Sequence, residues 1–310
     1  MELSIQTPQF QTSIAELTET WRHAERLGFR SAWLMDHLVP ILVPDTEPML
    51  EAWTTLTAVL SATETIRGGV LVSAATFRHP ALLARMAATL DHISGGRLEV
   101  GIGAAWCEPE HVANGLAFPP ARDRLTILAE ACSVLRLLWT EPEATFEGRH
   151  FNVRAARCEP KPIQTPLPML IGGGGEKRTL RIVAQHADRW NGSGSIPMMR
   201  HKIEVLHEHC AAIGRDPKTL ALTIRNELII TPDRAEADRR LGEMAAFWGV
   251  DVEAARARTW VGNVEEVTGW LIEYRDLGFD EAILTVDPPY ATRAVEMLEM
   301  VAAETLPALA

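Results

Sequence analysis

Two places in the chain bring together residue types that can do chemistry. The first is Gly172-Gly-Gly-Gly175, which follows the apolar run Leu167 to Ile171 and precedes Glu176-Lys-Arg-Thr179 and a segment with helical apolar spacing at Leu180, Val183, Ala184 and Ala187. That order reads as strand, glycine loop and helix from Glu176 to Ala187. Glycines let backbone N–H groups approach a ligand, and the free N–H groups and dipole of a first helical turn favour an anion. A phosphate is the expected guest of Gly172, Gly173, Gly174 and Gly175, with a ligand-free tight turn as the alternative. Spacing excludes a Walker loop, because Lys177 follows Glu176 and precedes Arg178. It also excludes a dinucleotide fingerprint: Lys177 stands where the third glycine belongs, as Trp106 does after Gly101-Ile-Gly103.

The second place is Asp36-His37, directly after the apolar run Ser31-Ala-Trp-Leu-Met35. Histidine is the side chain best able to trade a proton near neutral pH, so His37 is the first catalytic candidate. Asp36 points the other way in an extended chain and could anchor the loop. Glu51 and Trp53 could close a pocket from the segment after Pro44 to Pro48, or could be a helix-start carboxylate and a core indole. His79 precedes Pro80, which suits a cap or loop role. His201, His207 and His209 crowd one helix, but the last two cannot share a face and no H-E-x-x-H pattern exists, so no metal is expected. Trp139 continues a helix face and reads as core; Trp106 and Trp190 follow strands and are candidates for a pocket wall. Gly192-Ser193-Gly194 lacks the spacing of a nucleophile elbow, and Lys161 between prolines reads as a surface residue.

These residues need a scaffold. Strand-like Leu3 to Thr7 leads into a helix with apolar residues at Ile14, Leu17, Trp21 and Ala24, a capping box at Ser13 and Glu16, and Gly28 at its C-terminal end. The unit returns near the end with Asn263 and Glu266, Gly278 and the strand Ala282 to Val286; Leu27-Gly28-Phe29 and Leu277-Gly278-Phe279 are near copies. Between them alternate helix Glu51 to Glu64, strand Gly69 to Ser73, helix Pro80 to Ile93, strand Leu98 to Ile102 and helix Arg122 to Leu138. Strand Met169 to Ile171, strand Arg189 to Asn191, helix Met198 to Ile213 and strand Ala221 to Ile230 follow. Continuous apolar strands between helices imply a parallel sheet covered on both faces, and eight such units point to a (β/α)8 TIM barrel with its site just after the strands. A doubly wound open sheet is the structural alternative. One barrel domain over residues 1–310 is expected, with insertions at about 105–120, 141–166 and 232–260; the middle one carries a hairpin around Gly148.

A chain of 310 residues that is 47% hydrophobic can bury a large core. Its apolar runs fall short of the about 18 residues of a membrane span, and Met-Glu-Leu-Ser is no signal peptide, so a soluble cytoplasmic protein is expected. Cys107, Cys132, Cys158 and Cys210 lie far apart and suit reduced thiols. A formal net charge of -11 argues against nucleic acid or an anionic membrane as partner.

Read together, several motifs resemble the bacterial luciferase-like flavin and deazaflavin oxidoreductases, most closely the branch that uses coenzyme F420. They are Asp36-His37, Glu51-Ala-Trp53, Phe77-Arg-His79-Pro80 through Asp91, Ser94-Gly-Gly-Arg97, Gly101-Ile-Gly103-Ala-Ala-Trp106 with Glu110, Phe146-Glu-Gly-Arg149, Pro160-Lys-Pro162, Ile171 to Gly175 and Ala187-Asp188-Arg-Trp190-Asn191. Each is weak alone; their order and spacing are specific and span nearly the whole chain. The resemblance implies a TIM barrel and a cofactor ring at its C-terminal mouth. It implies a non-prolyl cis peptide behind the ring around Leu71, Val72 and Ser73, and a phosphate on Gly172 to Gly175 and Thr179. Asp36, Ala104 and Trp106 would lie against the cofactor, and His37 and Glu51 would handle protons. Ala104 departs from relatives that carry a hydroxyl there.

The leading expectation is an oxidoreductase that moves a hydride between F420 and a small organic substrate, with Lys177, Arg178 and Arg181 suited to an acidic tail. One alternative is an FMN-dependent monooxygenase served by a flavin reductase. Another is a flavin-binding barrel without catalysis. A small-molecule substrate is the expected partner, and a homodimer is compatible with each reading.

Overall fold

In the structure, a computed structural model describing residues 1–41, 43–286 and 294–309, the strands are β1 (Glu2–Gln6), β2 (Ser31–Leu34), β3 (Arg67–Ala74), β4 (Leu98–Gly103), β5 (Ala144–Glu147), β6 (Asn152–Ala156), β7 (Met169–Gly172), β8 (Arg189–Gly192), β9 (Ala221–Ile230), β10 (Thr259–Gly262) and β11 (Glu281–Thr285). The helices are α1 (Ile14–Leu27), α2 (Ala52–Ser61), α3 (Pro80–Ser94), α4 (Glu108–Ala113), α5 (Ala121–Thr140), α6 (Thr179–His186), α7 (Ile196–Ala212), α8 (Arg234–Trp248), α9 (Val252–Arg256), α10 (Val264–Leu277) and α11 (Val295–Leu309). Strands β1, β2, β3, β4, β7, β8, β9 and β11 pair in parallel in that order. The β8–β9 and β9–β11–β1 pairings close the circle, so the sheet is a TIM barrel and not the open alternative.

Local signals set the helix ends. Ser13 with Glu16 and Asn263 with Glu266 form complete capping boxes, and Gly28 (φ 88°) and Gly278 (φ 105°) take the left-handed conformation that ends each helix and turns the chain into the next strand. His79 caps α3 by accepting the Ala81 N–H. The hairpin β5–β6 forms where Gly148 predicts it.

The helix after the glycine run starts at Thr179, later than Glu176. The chain at 174–176 is held from α7 instead: Lys202 Nζ donates to the Gly174 carbonyl at 2.6 Å and His209 Nε2 lies 2.7 Å from the Glu176 carbonyl. Lys161 is not a free surface residue, since its Nζ donates to the Leu138 and Glu141 carbonyls and closes the end of α5. An unforeseen strand, β10, pairs Thr259–Gly262 with Glu227–Ile230, because β9 runs on past the barrel rim and leaves an edge there. Helices α8 and α9 cover that ledge with a small core of Ile229, Ala237, Leu241, Ala245 and Ala255.

The barrel interior is layered. At the bottom Glu99 and Glu281, both fully buried, meet Arg30, Arg67 and Arg189; Arg30 Nη2 and Arg67 Nε lie 2.5 and 2.7 Å from Glu99 Oε1. Buried charges persist only when paired in this way. Trp33, Leu71, Leu170 and Ile283 pack above them. Over that plug the C-terminal mouth opens. None of the described helices is long and apolar enough to cross a membrane.

Candidate active site

A cavity of about 640 Å³ occupies the mouth, within the range of small-molecule and cofactor sites. Its floor is a shelf made by β3. The peptide Leu71–Val72 is cis, the register with β4 shifts between Val70 and Ser73, and Leu71 and Val72 both line the cavity. Three glycines make room for this shelf. A Cβ at Gly103 would meet Val72 Cγ2 at 2.6 Å, one at Gly172 would meet Val72 Cγ1 at 3.0 Å, and one at Gly101 would meet the Val70 carbonyl oxygen at 2.1 Å. Ser73, expected at the cofactor, is buried away from the cavity lining, where its Oγ accepts the Trp53 indole N–H at 2.9 Å.

His37 stands at the rim. Its Nδ1 lies 3.0 Å from Glu110 Oε1, and Glu110 Oε2 accepts the Leu38 N–H at 2.9 Å. A carboxylate oxygen accepts, so Nδ1 donates in this pair, and among the described residues Nε2 has no hydrogen-bond partner. Glu110 is 3% exposed, and α4 presents it from the insertion after β4. The Trp106 ring, itself mostly exposed, packs edge-on to His37 with centroids 5.6 Å apart.

Asp36 lines the cavity but is already engaged. Its Oδ2 accepts the Ala74 N–H at 3.0 Å and Arg78 Nη1 at 2.6 Å, while Arg78 Nη2 reaches Glu51 Oε1 at 2.6 Å. Burial pushes the Asp36 carboxyl up, opposed by Arg78. Glu51 differs from its expected catalytic place. It caps α2 by accepting the Trp53 and Thr54 N–H groups and is not among the residues lining the cavity, and against partial burial these bonds and Arg78 keep its pKa low. Arg78 thus braces the Asp36 loop to the start of α2. Trp53 and Trp190 are core residues and not pocket walls; the Trp190 indole donates to the Gly173 carbonyl at 2.8 Å.

The glycine run divides its duties. Gly172, Gly173 and Thr179 line the cavity with Ala104, whereas Gly174 and Gly175 do not. Gly173 has φ 122° and donates its N–H to Asn191. Among the described residues the N–H groups of Gly174 and Gly175 meet no backbone carbonyl. Lys177, Arg178 and Arg181 lie off the lining, and Arg178 is spent on the Arg122 carbonyl and Thr126.

The opposite wall carries residues that sequence reasoning missed: Gln6, Asn191, Ser193, Arg225, Glu227 and Arg258. Gln6, Asn191, Arg225 and Glu227 lie within barrel strands, Ser193 directly follows one, and Arg258 sits beside the unforeseen β10. Among the described residues no group of three His, Cys, Asp or Glu side chains could hold a metal.

Comparison with known proteins agrees with this geometry. The profile of the family described as luciferase-like monooxygenase matches residues 1–281. The chain is 31% identical over 251 residues to an uncharacterised protein of Mycobacterium tuberculosis (strain ATCC 25618 / H37Rv), covering 76% of this chain and 86% of that one. It is 31% identical over 261 residues to the F420-dependent glucose-6-phosphate dehydrogenase of Amycolatopsis mediterranei (strain U-32), covering 81% of this chain and 75% of that one. Among solved structures, an F420-dependent secondary alcohol dehydrogenase in complex with an F420-acetone adduct superposes with a TM-score of 0.88 at 21% identity, over 100% of this chain and 99% of that one. At that identity the likeness carries the fold.

Proposed function

The chain belongs to the luciferase-like monooxygenase family and is an oxidoreductase, and from that premise we propose that it moves a hydride between coenzyme F420 and a small organic substrate at the barrel mouth. The observation that carries this reading is His37, an imidazole at the rim of the cavity whose Nδ1 is held by a buried carboxylate. The name and identity of the Amycolatopsis relative support F420 as the carrier.

The residues present fit such a group. Leu71 and Val72 offer an apolar shelf for a flat ring, cleared by Gly101, Gly103 and Gly172. Gly172, Gly173 and Thr179 would border its phosphate, with the N–H groups of Gly174 and Gly175, which meet no backbone carbonyl among the described residues, next in the chain. A bound deazaflavin supplies two-electron chemistry at its ring. When a carbinol carbon gives up its hydride, the alcohol proton must leave with it, and His37 Nε2 takes that proton while Glu110 stabilises the imidazolium. In the reverse direction the same nitrogen returns the proton to a carbonyl oxygen. Asp36 and Arg78 keep the His37 loop in place, and Trp106 limits the ring's rotation.

A second reading, an FMN-dependent monooxygenase fed by a reductase, is favoured by one observation: Lys177, Arg178 and Arg181 stand off the cavity, so a polyanionic tail has less cationic support than a phosphate monoester. Anaerobic mixing of protein and oxidised F420 with a panel of alcohols separates the two. Loss of the deazaflavin absorbance with at least one alcohol is expected. No loss with any alcohol and no gain, for reduced F420, with any ketone or alkene, together with protein-dependent formation of an oxygenated product from reduced FMN and oxygen, would replace the first reading by the second.

A further inference from the structure

Among the described residues, the charges that line the mouth cavity are paired, with one exception. Asp36 is matched by Arg78 at 2.6 Å, Glu110 stands 3.0 Å from His37, and Arg225 is matched by Glu227 at 2.6 Å while its Nε donates to Gln6. Arg258 also lines the cavity, is exposed, and has no side-chain partner among the described residues. Position explains why. Its carbonyl accepts the Glu227 N–H where β10 joins the extension of β9, so the backbone is anchored while the guanidinium meets no partner among the described residues.

The same wall is apolar around it. Phe247, Trp248 and Val250 line the cavity from the end of α8, and Phe247 is 52% exposed. Exposed apolar side chains beside a lone guanidinium favour a ligand that covers the first and neutralises the second. A planar guanidinium matches carboxylate and phosphate alike.

We propose that the substrate is a small amphipathic anion, a carboxylic acid or phosphate monoester, whose charged end docks on Arg258. Its apolar body lies on Phe247, Trp248 and Val250, and the carbon to be oxidised or reduced is turned towards His37. The proposal names the substrate class for the cavity taken above as the active site, and its test is run without cofactor so that the two readings fail separately.

Trp106 and Trp248 both line the cavity, so ligand binding is read by tryptophan fluorescence of the whole protein. The probes are 4-phenylbutyrate, 3-phenylpropyl phosphate and the uncharged 4-phenylbutan-1-ol. The wild type is expected to bind at least one anionic probe roughly tenfold or more tightly than the alcohol, with the preference weakening in salt. Arg258→Ala should abolish the preference without changing affinity for the alcohol, and Arg258→Lys should keep part of it. Affinity for F420, measured on the same variants, should not change. Equal binding of the three probes by the wild type, an undiminished preference in Arg258→Ala, or a parallel loss of F420 affinity would each overturn the proposal. Anion preference without any F420 binding would leave it standing while removing the cofactor reading.

Discussion

Nδ1 of His37 lies 3.0 Å from Oε1 of Glu110, and the second oxygen of Glu110 accepts the N–H of Leu38, so a single carboxylate grips both the ring and the backbone beside it. These partners are 73 residues apart in sequence.

If His37 carries the proton, His37→Ala should lower turnover by about 10²–10⁴-fold with cofactor affinity largely kept. Glu110→Gln should lower kcat roughly tenfold or more, alter the pH profile and leave KM and the melting temperature nearly unchanged, because the amide keeps a hydrogen bond but loses the charge that steadies an imidazolium. Steady-state kinetics decides this. Wild-type rates in both variants would reduce the pair to packing.

Gly103→Ala should cost about 1–3 kcal/mol, because its Cβ would meet Val72 Cγ2 at 2.6 Å. The double variant with Val72→Ala should recover much of that loss. Urea unfolding of the four proteins in the cycle measures the coupling; additive losses would show that the two side chains do not compete for the same space.

Arg78→Ala should be more damaging than a surface change, by about 3–5 kcal/mol, since it strands Asp36, which is 4% exposed, without its partner. Adding Asp36→Asn should restore part of the loss. A melting temperature within a degree or two of wild type for Arg78→Ala would contradict the brace.

The ion cluster at the barrel bottom makes stability depend on acid. Burial pushes the Glu99 carboxyl up, yet Arg189, Arg30 and Arg67 hold it below its ordinary value of 4.5. A carboxylate with a lowered folded pKa adds stability above its unfolded value and loses it as pH falls through the folded one. Wild-type stability should therefore fall below about pH 4.5, and Glu99→Gln should be weaker at pH 7 with a shallower decline in acid. Parallel curves for the two proteins would sink this assignment.

Much of the scaffold was legible because its signals are local. Ser13 with Glu16, Asn263 with Glu266, and the glycines at 28 and 278 announce their helix ends within a few residues, and the strands read from the sequence coincide with all eight barrel strands. His37 was legible as a residue at a strand end. Its partner Glu110 was visible only as part of a motif, since nothing within one turn of the chain reports a contact made through the barrel. The glycine loop misled in part: four glycines in a row suggested a phosphate cradle, but Gly172 serves Val72 and the helix begins only at Thr179. Glu51 misled because a helix-cap carboxylate and a catalytic one look alike in sequence. Inward polar residues such as Arg225 and Glu227 were hidden inside a strand whose apolar members set its pattern, and β10 was hidden because it exists only through the edge left by β9.

The central claim is that this mouth cavity takes F420 for hydride transfer. Titrating the protein with F420 and, separately, with FMN, and following the fluorescence of each, tests it most directly. The account predicts saturable F420 binding tighter than FMN, weakened roughly tenfold or more by Gly173→Val in a variant that still folds, at a glycine with φ 122° on the cavity wall. FMN binding as tight as F420 or tighter, or F420 affinity indifferent to Gly173→Val, would contradict it.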